Sequence, residues 1–191
     1  MDGTSSLEKI KKSLQNDNLC ILPTDTIIGI FSSTKHSAVV KIFEAKKRDL
    51  TKPFAIFVPN IEAIGKYGIE TDESQIFAKK YFPGEYTIIL KATDFAKENL
   101  SPLLISSDGK IGIRIPKRDE LLELTKEFII CGTSVNISGK SFIIDENIPD
   151  EIKDFIDLFF ESTDSHYSDQ ATLRPSRILD FSGIIPVVVR Q

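Results

Sequence analysis

Cysteine and histidine are scarce in this sequence, with two of each among 191 residues. Cys20 and Cys131 each lie in an apolar, strand-like run, and their spacing matches no metal-binding motif. We therefore expect both to be reduced core residues of a cytoplasmic protein. Neither His36 nor His166 lies in a motif, and no tight acidic cluster is present. The sequence thus predicts no metal ion held by the protein itself.

Long apolar runs are missing as well. The N-terminal MDGTSSLEKI has no apolar core of the kind that a secretory signal needs, and no stretch approaches the length of a transmembrane helix. The net charge is −4, so the chain as a whole shows no preference for nucleic acid, although a local basic patch is compatible with that value. The length suits one sizeable core, and we predict a single domain over residues 1–191.

The usual nucleotide fingerprints are also absent. GTSVNISGKS (132–141) follows an apolar run and ends like a P-loop, but that motif requires a glycine at position 134, where Ser134 stands. A G-x-G-x-x-G fingerprint is missing too. A nucleotide site in this chain would therefore be built from side chains and loops of another design.

Apolar periodicity predicts an α/β protein. Ser5 and Glu8 form a capping box before a helix whose apolar face holds Leu7, Ile10 and Leu14. Further helices are predicted near residues 39–48, 76–81, 121–125 and 150–155. Strands are predicted at 19–22, 54–58, 86–90, 111–115, 128–131, 156–160, 177–181 and 186–190. This alternation favours a twisted mixed sheet, parallel and antiparallel, flanked by helices.

Three further stretches share the polar character of GTSVNISGKS. They are PTDTIIGI (23–30), AKKRDLTKPF (45–54) and GIRIP (112–116). In GIRIP, strand alternation places Gly112 and Arg114 on one face, where the glycine leaves room for a ligand. Each stretch has an ordinary explanation by itself: a turn with Asp25 as a cap, basic residues that complement a helix dipole, or an arginine on an edge strand.

In this order, the four stretches resemble a known set of motifs. Together with PGEYTIIL (83–90) and PSRILD (175–180), they are similar to those of the YrdC/TsaC family, the threonylcarbamoyl-AMP synthases of tRNA modification, in its short single-domain form. The resemblance runs from about residue 7 to the C-terminus. Arg177 stands where the family has a small hydroxyl residue. The preceding segment, 162–173, lacks the family's usual glycines and is predicted to be a loop.

The resemblance implies a YrdC-like fold and a reaction in which L-threonine, bicarbonate and ATP give L-threonylcarbamoyladenylate and pyrophosphate. A partner threonylcarbamoyl transferase complex then modifies adenosine at tRNA position 37. Mg²⁺ is expected to arrive on the ATP phosphates. The implied catalytic residues are Lys46, Arg48, Ser134 and Asn136. The implied ligand-binding residues are these four with Thr26, Lys52, Arg114, Ser176 and Arg190.

This reaction needs charge neutralisation and alignment, and no protein nucleophile. Lys46 and Arg48 are expected to hold phosphates, since a guanidinium can fork onto two oxygens. Arg114, taken as an unpaired cation, is expected to hold the carboxylate of threonine.

Two other functions remain open at this point. One is a binding module for double-stranded RNA or tRNA, in which five basic residues form a patch read by shape and phosphate: Lys41, Lys46, Lys47, Arg48 and Lys52. The other is the carbamoyl-transfer domain of hydrogenase-maturation enzymes. Those enzymes are much longer and carry zinc-finger-like cysteine clusters, whereas this chain has two cysteines.

Overall fold

The computed structural model describes residues 6–137, 148–159 and 174–191. Three features discussed above lie outside the described residues. They are Ser5 of the predicted capping box, the P-loop-like ending at 138–141, and the segment 162–173.

Helices and strands alternate along most of the chain. The α-helices of the described residues are α1 Ser6–Gln15, α2 His36–Ala45, α3 Ile64–Tyr67, α4 Asp72–Tyr81, α5 Asp94–Asn99, α6 Asp119–Glu127 and α7 Asp150–Lys153. The strands are β1 Cys20–Leu22, β2 Gly29–Ser33, β3 Ala55–Phe57, β4 Gly68–Ile69, β5 Tyr86–Ala92, β6 Lys110–Arg114, β7 Ile130–Ser134, β8 Leu158–Phe159, β9 Arg177–Asp180 and β10 Val187–Arg190. Two short 3₁₀-helices cover Ile61–Ala63 and Pro102–Leu104.

The strands of the described residues form one sheet in the order β10-β9-β5-β6-β3-β7-β2-β1-β8, with β4 paired to β5 beside this path. Three pairs are parallel: β1 with β8, β3 with β6, and β5 with β9. The other pairs are antiparallel. The prediction of a mixed sheet flanked by helices is therefore confirmed.

The two faces of the sheet carry separate apolar cores. On one face α2 buries Phe43 in the larger core. On the other face, Leu14 of α1 and Leu124 of α6 pack in a smaller core that includes Phe31 and Phe57. The rings of Phe31 and Phe57 meet edge to face with centroids 5.0 Å apart. These two phenylalanines also line a cleft, so the cleft lies on this second face.

The two ends of α4 are fixed by local sequence, and the chain that leaves its C-terminal end forms part of one wall of that cleft. Thr71 Oγ1 accepts a hydrogen bond from Ser74 N, while Thr71 N donates to Ser74 Oγ at 2.9 Å, which closes a capping box. The helix ends at Tyr81, Phe82 follows as its cap with extended backbone, and Pro83 cannot continue the helix. Gly84 follows, and its carbonyl faces the cleft-lining Arg114.

Both cysteines are buried, as expected, and both are free thiols. Burial raises the pKa of Cys20 to about 11 and that of Cys131 to about 12. Neither thiol is therefore ionised near neutral pH, and both behave as core residues.

Several observed elements have no counterpart among the predicted ones: β2, β4, α3 and α5. β2 is buried at every position, so the stretch Gly29–Ser33 lacks the alternation that marks a half-buried strand. β7 also runs later than the predicted strand at 128–131. It continues to Ser134 because Gly29 to Ser33 of β2 pair with it along its whole length.

Candidate active site

A cleft of about 440 Å³ opens on the face of the sheet that carries Phe31 and Phe57. Its floor consists of cleft-facing residues from six neighbouring strands, β2, β7, β3, β6, β5 and β9. Six of the nine predicted site residues line it: Thr26, Arg48, Arg114, Ser134, Ser176 and Arg190. Lys46, Lys52 and Asn136 are not among the lining residues. The sequence motifs thus meet in one place, although they do not all face the cleft.

The loop between β1 and β2 is fixed by its own hydroxyl groups. Thr24 Oγ1 donates to Ile27 O at 2.7 Å, accepts from Thr26 N at 2.9 Å, and lies 2.9 Å from Thr26 Oγ1. Thr24, Asp25 and Thr26 are all buried. This turn holds the Thr26 hydroxyl rigidly at the wall of the cleft.

Arg114 is buried and contacts three neighbours. Its Nη1 donates to Thr26 Oγ1 at 3.0 Å, its Nε donates to Gly84 O at 3.3 Å, and its Nη2 lies 2.9 Å from Asp25 Oδ2. Asp25 and Arg114 meet without a well-directed hydrogen bond, so charge attraction joins them. The expectation that Arg114 is an unpaired cation is wrong, because Asp25 balances its charge.

Arg48 and Arg190 both line the cleft, and they lie near one another. Arg48 donates to the carbonyls of Lys52 at 2.7 Å and Pro53 at 3.1 Å. Burial lowers the pKa of Arg190, and the charges of Arg114 and Arg48 lower it further. Arg190 therefore lies close enough to Arg114 and to Arg48 to be repelled by both. Their repulsion is relieved when an anion binds between them, which makes this end suited to phosphate or carboxylate groups.

Ser176 holds Arg190 in place. Arg190 Nε donates to Ser176 O at 2.8 Å, and Arg190 Nη2 donates to Ser176 Oγ at 3.0 Å. Ser176 Oγ also lies 3.0 Å from Thr87 Oγ1 of β5. The last strand, β10, is exposed along its length, so these contacts tie its arginine to the wall of the cleft.

Lys46 lies behind the cleft and faces inward. Its Nζ donates to Ser134 O, to Asn136 O at 2.7 Å and to Asn136 Oδ1 at 2.9 Å, and only 1% of the residue is exposed. Burial, with a smaller effect from Arg48, lowers the pKa of Lys46 to about 7. Ser134 Oγ donates to Asn136 Oδ1 at 2.7 Å. Lys46 and Asn136 thus position the strand end that presents Ser134.

The basic patch proposed for RNA is smaller than the sequence predicts. Lys46 is buried and cannot join an exposed patch. The amine of Lys41 donates to a backbone carbonyl, and Arg48 is turned toward the carbonyls of the following turn. Lys47 and Lys52 remain exposed. The patch is smaller because Lys41, Lys46 and Arg48 each donate to backbone carbonyls, contacts that the spacing of charges in the sequence does not reveal.

Sequence reasoning missed three charged residues beside or within the cleft. Asp25 stands in the quoted PTDTIIGI stretch but was not assigned a ligand or a partner. Lys110 and Asp180 line the end of the cleft away from the arginines. Extending the alternation of Gly112 and Arg114 back by one more step along β6 predicts Lys110 on the same face. Asp180 has no such signal, because its place depends on the pairing of β9 with β5.

No group of three or more histidine, cysteine or acidic residues comes together as a metal site within the described ranges 6–137, 148–159 and 174–191. Over the same ranges, no helix combines the length and apolar character needed to span a bilayer.

Comparison with known proteins decides the family. The family model Sua5/YciO/YrdC, described as telomere recombination, matches residues 12–191. The chain belongs to this family. The resemblance inferred from the sequence motifs is therefore confirmed.

Two curated relatives of this Sua5/YciO/YrdC chain carry the same functional name. A provisionally named threonylcarbamoyl-AMP synthase from Methanocaldococcus jannaschii is 33% identical over 188 residues, covering 95% of this chain and 87% of the relative. The threonylcarbamoyl-AMP synthase of Bacillus subtilis is 30% identical over 131 residues, covering 66% of this chain but 37% of the relative. The first relative is thus matched over most of its length, and the second over about a third.

The fold is also that of a solved Sua5/YciO/YrdC structure. Pyrococcus abyssi Sua5, determined in complex with L-threonine, superposes with a TM-score of 0.81 at 22% identity. The match covers 96% of this chain and 53% of that protein. At this level of identity the likeness establishes the fold.

Proposed function

We propose that this protein is a threonylcarbamoyl-AMP synthase, which makes L-threonylcarbamoyladenylate and pyrophosphate from L-threonine, bicarbonate and ATP. The observation that carries the proposal is the convergence of three guanidinium groups on one end of the cleft. The names of the two curated relatives support the same reaction. A cleft that gathers Arg48, Arg114 and Arg190 suits a reaction between anions, because like charges must be brought together.

In the proposed reaction, the amine of threonine first adds to carbon dioxide from bicarbonate. A carbamate oxygen then attacks the α-phosphorus of ATP, and the bond from that phosphorus to the pyrophosphate oxygen breaks. Arg48 and Arg190 are proposed to hold phosphate oxygens, since each guanidinium presents several donors in one plane. Their charge stabilises the negative charge that builds up as pyrophosphate leaves. No covalent intermediate with the protein is needed.

Threonine is proposed to bind against β6 and the loop after β1. Arg114 remains the proposed partner of its carboxylate, with Asp25 fixing the orientation of the guanidinium. The hydroxyls of Thr26 and Ser134 are proposed to contact the polar groups of threonine. Lys46 and Asn136 act on the same step through the position of Ser134.

The wider setting is also a proposal. Mg²⁺ is expected to accompany the ATP phosphates and to keep most of its water ligands. The product would pass to a threonylcarbamoyl transferase complex that modifies tRNA. The proposed location is the cytoplasm, where the substrate ATP and the tRNA that the partner complex modifies are both found.

The test is a pyrophosphate-release assay with single omissions. We expect release from ATP only when L-threonine and bicarbonate are both present. Release that is indifferent to threonine would contradict the synthase. Release that requires carbamoyl phosphate in place of bicarbonate and threonine would favour the hydrogenase-maturation type of chemistry. Binding of double-stranded RNA without ATP turnover would favour the RNA module.

A further inference from the structure

The edge of the sheet at β10 carries an apolar surface that lies largely outside the cleft. Among the described residues, β10 pairs with β9 alone, so its outer side has no neighbouring strand. The exposed fractions of its apolar residues and of those in the turn before it run from 55% at Val188 to 99% at Ile184. Of these residues, Val189 lines the cleft and the others do not. Five exposed residues together form the β10 edge: Ile184, Ile185, Val187, Val188 and Val189.

The β10 edge has little of the protection that edge strands usually carry. Natural sheets guard their edges with charged side chains, proline, bulges or very short strands, because unpaired backbone groups can otherwise pair with another strand. No residue from 182 to 189 is charged. Pro186 precedes the strand, and the register shift that marks a bulge lies between Val188 and Arg190. These two features limit the length of strand that can pair, and they leave Val187 and Val188 open.

The area of the β10 edge fits a second copy of the same chain. At roughly 100 Å² for each exposed valine or isoleucine, the edge offers roughly 500 Å² on each copy. Two copies that meet there bury about 1,000 Å² in total, which is the lower limit for a specific interface between proteins. An interface of that size suits a reversible dimer.

An antiparallel pair of β10 strands, related by a twofold axis, is the arrangement that suits this sequence. With Val188 opposite Val188 of the second copy, each Val187 lies opposite a Val189, so the apolar runs overlap. Each Arg190 then falls level with a Pro186, whose missing N–H ends the ladder of hydrogen bonds. Because the contact is symmetric, one patch serves both copies.

The same register keeps like charges apart. The two Arg190 positions lie four residues apart along the paired strands, which is roughly 14 Å. Val187 pairs with Asp180 on β9, so Asp180 of the second copy lies two strand spacings from Arg190, which is roughly 10 Å. A twofold axis perpendicular to the sheet keeps these cleft-lining residues on one face. An acid is thus nearer to Arg190 than the like charge is, although the net charge of −4 opposes association elsewhere.

From these observations we propose that the β10 edge is a self-association surface, to which a second copy of this chain adds its own β10 as an antiparallel strand. The main-chain groups of the two strands hydrogen-bond, and the valines of the two copies cover one another. The two sheets become continuous, and both clefts open on the same face. The strand that carries Arg190 is then paired on both sides.

The test places opposite charges at one position. Sedimentation velocity gives the oligomeric state of the native protein, of Val188→Lys, of Val188→Glu, and of an equal mixture of the two variants. We expect the native protein to dimerise with a Kd on the order of 10 µM. Each variant alone should dimerise at least about tenfold more weakly, because two like charges meet at the twofold axis. The mixture should recover dimers, since lysine and glutamate then face one another.

Ile76→Lys and Ile76→Glu are the matched controls. Ile76 is also an exposed branched residue, but it lies on α4 and not on β10. Both controls should dimerise as the native protein does, alone and when mixed. If a Val188 variant does not fold, as judged by its thermal melt, Ile185→Lys is measured in its place. Ile185 lies in the turn before the strand, and this change should weaken the dimer as well.

Three results would overturn the proposal. A native protein that stays monomeric well above the expected Kd would leave β10 to a strand of a different protein. A native dimer that the folded variants retain in full would lie on another surface. Weakened variants whose mixture recovers no dimer would exclude the pairing of β10 with itself. None of these outcomes depends on the synthase reaction, because the measurement uses the protein without substrates.

Discussion

The two ends of the cleft are built in different ways. At the arginine end, most charged groups are held by buried partners that come from distant parts of the chain: Arg114 by Asp25 and Thr26, and Arg190 by Ser176. At the other end, Lys110 meets Asp180 on a partly exposed surface. The first arrangement is fixed before any ligand arrives. The second keeps some freedom to rearrange around a ligand.

This difference indicates that the arginine end serves the reaction and that the other end serves ligand binding. Preorganised charges stabilise a transition state because they need not reorient as the reaction proceeds. A partly exposed ion pair contributes about 1 kcal/mol or less to stability, so its chief value here would be selective binding. Substitutions at the arginine end should therefore change turnover, and substitutions at the other end should change nucleotide affinity.

The largest effect is expected from Arg48→Ala. This change removes a full charge from the arginine end, and we expect pyrophosphate release to fall by about a hundred- to a thousandfold. Lys47→Gln is the control, since it removes the neighbouring charge from an exposed side chain. Turnover of Lys47→Gln should stay near native. An Arg48→Ala protein that folds and retains at least about a third of native turnover would remove Arg48 from the reaction.

A somewhat smaller effect is expected from Asn136→Ala. Its side-chain oxygen accepts from both Lys46 and Ser134, so the change releases the strand end that presents Ser134. We expect turnover to fall by about a hundredfold, with a stability loss of about 1 kcal/mol. Asn60→Ala removes the cap of a short 3₁₀-helix whose residues do not line the cleft, and it should cost a similar stability without loss of turnover. Equal turnover in the two variants would contradict a role for Asn136.

A moderate effect on affinity is expected from Gly112→Ala. The added methyl group should weaken ATP binding by about tenfold, while the free energy of unfolding stays the same or rises by about 0.5 kcal/mol. Gly132→Ala should instead lower the free energy of unfolding by about 1–3 kcal/mol, because its Cβ would collide with the ring of Phe31. Calorimetry and urea titration measure the two quantities. Native ATP affinity in Gly112→Ala would show that the floor above β6 is not used.

The smallest effect concerns Lys46 and pH. Its pKa is about 7 in the folded chain, below the usual value of 10.5. Between these values the unfolded chain binds the proton and the folded chain does not, so the free energy of unfolding rises with pH. The three oxygens that surround the ammonium form oppose this shift. We therefore expect a rise on the order of 1 kcal/mol between about pH 7 and pH 9.

Urea titrations of the native protein and of Lys46→Met at both pH values test this expectation. The rise should be absent in Lys46→Met, since methionine does not titrate. A rise of equal size in both proteins would assign it to another group.

Sequence alone predicted the class of the fold and the stretches that form the arginine end. Those stretches were recognisable because their order along the chain resembles a family, and each is short and contiguous. β2 was missed because a strand buried on both faces shows no alternation. The polar residues that precede it, PTDT (23–26), are also typical of a turn. The strand predicted at 128–131 stopped short of the observed end at Ser134 because the small polar residues Gly132 to Ser134 are typical of a loop.

Contacts between distant residues could not be predicted in this way. Asp25 and Arg114 lie far apart in the sequence, and nothing near either residue indicates that they pair. Lys46 was expected to face phosphate because the family resemblance implies it, yet its amine donates inward to the backbone oxygens of Ser134 and Asn136. Local spacing identifies which residue types are present. The sheet order decides which of them meet.

The most direct test of the account is to follow the carbon of bicarbonate into the product. The native protein would be incubated with ATP, L-threonine and bicarbonate labelled with carbon-13, and the products analysed by mass spectrometry. The account predicts an adenylate that contains threonine and one labelled carbon, formed together with pyrophosphate, and about a hundredth of it or less from Arg48→Ala. Conversion of ATP without any labelled threonine adduct would contradict it.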